Sequence, residues 1–416
     1  MNIVKNGYVY NNVCKEYVAK YDKEVFVTSL LQLNYSVLLR YFKGCTIVPL
    51  FRVLKLDERE NPCDDISKYV VSGTINVNKQ RGQIRSGTLS LSNFNGELEY
   101  GYNKILWDGV KVRIDSGIII DDILYWTPLG VFLLQTPSFR MDNSSNQISL
   151  NLVDKWGLWD GSVYGNTELK TIIPSGCPII QVVNNIVHEK IKDEKNEMWD
   201  EKDIIIESGH EMEKIYYTIR QDAGQPKAQL LLDISKTISS DIMYDTNGHL
   251  CLNSNILKFL GDNYAVIWHF NEGDIDCSEP NLTYNRNNYY NKIIVKGAIL
   301  NGYQFSASVE NRNPKSIYNT INNPISPKTI VNSKLFSDQL CLEQGMYEMF
   351  NQSRGLLSVA ITSAFIPFLT VDKMVRLNFP RLGINNQQFV IDGFSFNMGA
   401  DCKMNLKLTS NNEVIF

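Results

Sequence analysis

Nowhere does this 416-residue chain hold about 18 consecutive apolar residues, the length a helix needs to cross a bilayer, so no membrane span is expected. Nor does its N-terminus combine a basic start, an apolar stretch and a small-residue cleavage site, which argues against export through a signal peptide. Cys14, Cys45, Cys63, Cys177, Cys251, Cys277, Cys341 and Cys402 form no CxxC pair and no close grouping with histidine. Neither a zinc site nor a disulfide framework is implied, and buried, reduced thiols are expected. An excess of basic charge is missing too: 41 Lys and Arg stand against 45 Asp and Glu, for a formal charge of -4. A dedicated nucleic-acid binder would carry a basic patch or stripe. The short basic stretch Lys79, Arg81 and Arg85 reads as a solvated hairpin tip.

Catalytic signatures are equally sparse. There is no Gly-rich phosphate loop, no GxSxG elbow and no Cys/His nucleophile arrangement. Only four histidines are present, His188, His210, His249 and His269, so acid-base chemistry would fall to carboxylates. His188-Glu189 begins like a zinc-protease motif, but Lys192 stands where the second histidine is required, and His188 reads as a surface residue. Asp245-Thr246-Asn247-Gly248 opens like a calcium loop, yet Ile256 occupies the twelfth position where glutamate is needed, so the segment reads as a turn. Asp121-Asp122 and Asp274-Ile275-Asp276 pair carboxylates as a glycosidase would, although neighbouring loop carboxylates are common. Tyr100-Gly101-Tyr102 and Tyr289-Tyr290 could stack on sugar rings but read as cross-strand packing in a β-rich chain. No catalytic, cofactor-binding or metal-binding residue is expected, and the chain is not read as an enzyme.

What is present is alternation. Hydrophobic residues at 44% and charged residues at 21% describe an ordinary folded protein, long enough for two or three domains. Asparagine recurs in loops such as 143–146 and 285–288, where it favours turns. The apolar, tyrosine-containing segment 25–51 leans toward strands. From residue 70, Ile75 and Val77, then Leu89 and Leu91, alternate in strands, with a turn at 93–96, and residues 70–154 read as at least six strands. Trp156 and Trp159 close that region. Pro178 then opens a helix with Ile180, Val183, Val187 and Ile191 on one face, and Pro226 a second with Leu230, Leu231, Ile234 and Ile238. An acidic loop, 193–203, lies between them. Asn247-Gly248 turns a hairpin at 244–249 through positive φ angles. Strands follow at 293–295 and 303–309, and a helix near 337–352 starts at Ser337 and carries Leu340, Tyr347 and Phe350.

One pattern occurs twice. Val110, Val112 and Ile114, then 131–134, then Ile148, Leu150 and Leu152 match Val375 and Leu377, then 389–391, then Met404, Leu406 and Leu408. The fold class expected is α+β, mostly β. It has two similar antiparallel β-barrel-like domains, 1–155 and 241–416, around a helix-containing insert, 156–240, that lies between or outside them.

Specific segments carry a resemblance. Asn78-Lys79-Gln80-Arg81-Gly82-Gln83-Ile84-Arg85 and the turn segment 88–98 resemble the N-terminal domain of a family of phage tail proteins, and the run 130–137, 152–156 and Asn311-Arg312-Asn313-Pro314 resemble the same family further along. The final block, 369–378 and 389–396, is similar to the last barrel of baseplate hub proteins. The resemblance implies a virion protein of the tail tip or baseplate, made in the bacterial cytoplasm. As a homotrimeric, pseudo-six-fold ring it would be a symmetry adapter between tail tube and tip. Its implied partners are itself, the tail tube or distal tail protein, a central spike or fibre and the tape measure protein, with DNA only in transit. Such hubs often continue into receptor-binding or peptidoglycan-cutting segments. With the chain ending at Phe416, those tasks are expected of a separate chain. The rival readings are a host-glycan-binding tail adhesin and a tail-associated cell-wall hydrolase.

Overall fold

The computed structural model describes residues 2–5, 8–11, 24–44, 48–80, 82–101, 104–141, 146–162, 164–188, 200, 202–206, 212–238, 240–254, 266–274, 277–278, 280–284, 290–314, 316, 319–354, 357–399 and 402–410. The asparagine loop 285–288, most of 143–146 and the acidic stretch 193–199 therefore lie outside the described residues.

Six strands make the first unit: β1 Leu50–Leu56, β2 Val70–Asn78, β3 Arg85–Ser92, β4 Lys111–Ile120, β5 Ile123–Met141 and β6 Asn146–Asp154. Six more make the second: β7 Val266–Asn271, β8 Asn281–Tyr284, β9 Leu357–Ala364, β10 Met374–Phe379, β11 Ile384–Met398 and β12 Lys403–Ser410. Hydrogen bonding orders the first as β1-β4-β5-β6-β3-β2, and the second as β7-β10-β11-β12-β9-β8. Counting strands from one to six within each unit, both follow the order 1-4-5-6-3-2. One pair differs in direction: β1 runs antiparallel to β4, whereas β7 runs parallel to β10.

Register agrees as well as order. Phe132 lies opposite Val112 and Asp154, as Phe389 lies opposite Val375 and Ser410. Each unit opens its fourth strand from a left-handed residue, Gly109 at φ 81° or Asp372 at φ 63°. The same pair of backbone bonds follows in both. Gly109 N donates to Leu134 O and Leu134 N to Val110 O, while Asp372 N donates to Ile391 O and Ile391 N to Lys373 O. A bulge interrupts the fifth strand of each, at 135–138 and at 391–393. The units do not close separately among the described residues. β2 pairs antiparallel with β11, so one 16-stranded sheet runs through both and bends around one core.

Within 70–154 the described residues hold five strands rather than six, because the sixth, β1, comes from residues 50–56. The segment 25–51 also differs from a run of strands. After the short strand Glu24–Phe26, which pairs parallel with 124–126 of β5, it forms helix α1, Tyr35–Gly44. Asn34 caps α1 by accepting from Ser36 N at 2.9 Å, and Leu38 and Phe42, one turn apart, are buried. Alternation is weak here because the apolar residues serve a helix stripe.

Strands Asn2–Lys5, Tyr8–Asn11 and Pro62–Asp65 extend the sheet at β1, and two inserts carry the larger remaining elements. The first contains α2, Ile179–Val187, and α3, Lys227–Thr237, with its own core of Trp156, Trp159, Val183, Leu231 and Ile234. It lies outside the sheet, against Leu133 and Val153, while Phe132 and Leu134 face the main core. Strand β5 is thus buried on both faces there, which is why 129–134 is a continuous apolar run instead of an alternating one. The hairpin of Ser240–Tyr244 and Leu250–Ser254 contributes Ile242, Tyr244, Leu250 and Leu252 to this same core. Its loop spans five residues, with Gly248 alone at positive φ, instead of a two-residue Asn-Gly turn. In α2 the inward face is Ile179, Val182, Val183, Ile186 and Val187, so Ile180 is only half-buried; Ile191 lies outside the described residues.

The second insert interrupts the second unit between β8 and β9. It pairs Lys292–Leu300 with Tyr303–Glu310 and Pro327–Val331, and covers them with α4, Asp338–Arg354. Ser337 caps α4, its Oγ accepting from Leu340 N at 3.1 Å. Leu340, Cys341 and Met349 pack on Ile293, Val295 and Val309.

Candidate functional site: the joint at residues 79–85

Loop 79–84, between β2 and β3, touches both units and the first insert. Lys79 N donates to Asp392 O of the second unit at 2.7 Å, and its ammonium pairs with Asp372 at 2.6 Å. Gly82 N donates to Ile242 O of the first insert at 2.8 Å. Only glycine fits that position, since φ is 87° and an added Cβ would lie 2.7 Å from the Trp156 ring. Ile84 N and Arg85 N both donate to Asp154 Oδ2, at 2.8 and 2.9 Å, while Trp156 N donates to Oδ1. The Arg85 guanidinium is buried and donates to Tyr244 O at 2.6 Å.

The basic stretch is therefore no solvated tip. Arg85 is internal and Lys79 is half-buried in an ion pair, while Arg81 lies outside the described residues. Burial lowers the pKa of Arg85 and lifts the Asp154 carboxyl to about 6, against the pull of its N–H donors and Arg85.

Beside this joint lies a buried ionic network. Lys155 Nζ meets Glu60 Oε1 at 2.6 Å, pairs with Asp200, and donates to Gly248 O at 2.7 Å. Lys111 Nζ reaches the same Glu60 oxygen at 2.8 Å. Tyr244 OH donates to Asp200 Oδ2 and accepts from Trp159 Nε1, both at 2.8 Å. Burial, reinforced by Asp200, holds the Tyr244 phenol protonated, well above its ordinary value. Two cations and two anions balance, so the site is neutral as a set. Its chemistry is that of a fastener between the first unit and the insert.

The residues considered for catalysis are scattered and structurally committed. Asp121 and Asp122 are the two-residue turn between β4 and β5, at φ 47° and 63°, the conformation of a type I′ hairpin turn. Asp121 accepts from Arg40 at 2.9 Å and from the Tyr41 hydroxyl at 2.7 Å. Asp274 pairs with Lys43 and caps Asn271 N at 2.8 Å; Asp276 lies outside the described residues. Asp245 folds its own turn by accepting from Asn247 N and His249 N. His188 is exposed, its Nδ1 2.6 Å from Asp200 O. Tyr100 bonds Asp108 and leans on Trp107, while Tyr290 is half-buried against the second insert. Among the described residues no group of acidic, His and Cys side chains could hold a metal. A recess lined by Ile75, Val77, Phe394 and Phe396 leaves only about 10 Å³, room for a water but not a substrate. Of the thiols, Cys251, Cys341 and Cys402 are buried, and burial pushes the last two up to about 11 and about 12. Cys63 is exposed, unlike the expectation, because it sits on the edge strand Pro62–Asp65.

The chain shares the fold of phage tail proteins. It is similar to a tail protein from Neisseria meningitidis, with 10% identity over 87% of this chain and 97% of that one, at a TM-score of 0.56. A tail protein of prophage MuSo2 from Shewanella oneidensis gives 12% identity over 88% and 100% of the two chains, at 0.57. A prophage tail protein from Listeria monocytogenes gives 10% over 87% and 95%, at 0.50. No protein-family model matches the chain, and no match is found among curated proteins. Sequence reasoning missed Glu60, Lys111, Lys155 and Asp200. The signal in hand was a lysine flanked by Asp154 and Trp156 at the end of an alternating strand.

Proposed function

We propose that this chain is a structural baseplate hub at the tail tip of a bacteriophage or phage-like particle. The observation that carries the reading is the strand order 1-4-5-6-3-2, found twice in one polypeptide and joined through β2 and β11. A tail tube is six-fold and the tip it carries is three-fold. Three copies with two near-equivalent units each present six similar surfaces to the tube while keeping three-fold symmetry below. In this reading, parts 1–155 and 241–416 alternate around the ring, except that the hairpin 240–254 packs outside with part 156–240. The ring joins the tail tube or distal tail protein to the central spike or fibre and lines the channel through which DNA passes. The tape measure protein is a further neighbour. The formal charge of -4 suits a lumen that DNA crosses without sticking.

Mixing the purified chain with the matching tail-tube or distal tail protein tests the assignment by negative-stain microscopy. Rings capping one end of each tube are expected. Tubes that stay uncapped at saturating protein would contradict it, and binding to purified cell-wall polysaccharide instead would favour the adhesin reading.

A further inference from the structure

The repeat also locates the surfaces by which one copy would meet the next, an inference that rests on the ring proposed above. Within the chain, the seam between units is the antiparallel pairing of 393–398 in β11 with 73–78 in β2. There Phe394 lies opposite Val77, Phe396 opposite Ile75 and Met398 opposite Gly73. Each strand of that seam has a counterpart in the other unit, and the ladders fix which residue matches which. Phe139 lies opposite Ile148 as Phe396 lies opposite Met404, so 136–141 of β5 answers to 393–398. Leu152 lies opposite Gly87 and Leu408 opposite Val359, and these in turn face Ile75 and Leu282. Strand β8 with Pro280 therefore answers to 73–77.

Both counterpart edges lack a strand partner among the described residues. β5 pairs with β4 only up to Leu133, and beyond it the backbone on that side is met by Gly109, Val110 and the Asp108 carboxylate, which accepts from Thr136 N. β8 pairs with β9 alone. The side chains there are apolar and uncovered: Phe139 is 51% exposed, Met141 84% and Tyr284 71%. Their counterparts in the internal seam, Phe396, Met398 and Val77, are 3%, 3% and 2% exposed. The chain thus covers these three positions once and leaves their three equivalents bare, while Leu282, the counterpart of Ile75, is half-buried against the core.

We propose that β5 of one copy pairs antiparallel with β8 of the next. Ser138 would lie opposite Thr283, Phe139 opposite Leu282, Arg140 opposite Asn281 and Met141 opposite Pro280. The contact is head-to-tail, as ring closure requires. Pro137 and Pro280 lack an N–H at either end of the ladder, which keeps it short and guards the free edges against indiscriminate pairing.

The test is an engineered disulfide in the full chain, Ser138→Cys with Thr283→Cys, oxidised and read on a non-reducing gel beside each single variant. The internal equivalent, Asn76→Cys with Ser395→Cys, serves as a geometric control because these two residues are opposite in the seam already present. Covalent dimers and trimers of the 138/283 variant, absent from both single variants, are expected. Phe139→Asp with Tyr284→Asp should raise the concentration needed for assembly by at least about tenfold. Assembled oligomers that do not cross-link, while the internal control does, would overturn the seam and leave the ring reading standing. A chain that stays monomeric at every concentration overturns both.

Discussion

Lys155 makes three polar contacts, to Glu60, Asp200 and Gly248 O, with no exposure to solvent. Replacing it by methionine keeps the length of the side chain but leaves Asp200 buried with hydrogen bonds and no cation, and Glu60 with Lys111 as its one remaining cation. Lys155→Met is therefore expected to cost about 3–5 kcal/mol, read as a shift of the denaturation midpoint in urea. A loss within about 1 kcal/mol would show the network to be solvated. Asp154 makes a pH prediction. Its folded carboxyl, near 6, holds a proton more tightly than the unfolded one at an ordinary 3.8. Stability from this group is full below about pH 4 and is lost as pH rises through about 6, by up to roughly 3 kcal/mol. Comparing Asp154→Asn with the parent across that window should show this slope removed; parallel profiles would contradict it. Such roles were not legible in the sequence. Lys79, Arg81 and Arg85 look like any polar hairpin connection. What makes Arg85 internal is the carbonyl of Tyr244, 159 residues away, brought there by the insert.

At the level of elements, α1 ties both units. Phe42 packs edge-on against Trp268 at 5.9 Å and Phe368 at 5.5 Å in the second unit. Arg40 and Tyr41 hold the β4–β5 turn at Asp121, and Lys43 holds Asp274. Phe42→Ala is expected to cost about 3–5 kcal/mol and to change Trp268 fluorescence. Asp121→Asn, which keeps a residue suited to the left-handed turn and removes the charge of an exposed ion pair, should cost less than about 1 kcal/mol. Equal costs for the two would contradict the view that α1 works by burial. The alternating strands β2, β3, β6 and β12 were readable because one face of each meets a core and the other does not. α1 was not, since its apolar residues crowd a short segment where strand and helix periods cannot be told apart. The parallel course of β7 was also hidden, because direction is set by a long-range partner and leaves no local mark.

For the whole molecule, the repeated order of Val112, Phe132 and Ile148 with Val375, Phe389 and Met404 was visible in the chain, its last two strands almost equally spaced, and the ladders place Phe132 and Phe389 in the same register. The joining of the two units through β2 and β11 was not visible, since it depends on which edges remain open after each unit folds. The inserts hid it further by placing 292–354 inside the second unit. The central claim is that this doubled unit builds a three-copy ring. The most direct measurement is the native mass of the purified full chain over a range of concentrations, with symmetry read from averaged particle images. Three copies of the 47.5 kDa chain in a ring with six similar lobes are expected. A stable monomer, or a two-fold dimer without such lobes, would contradict it.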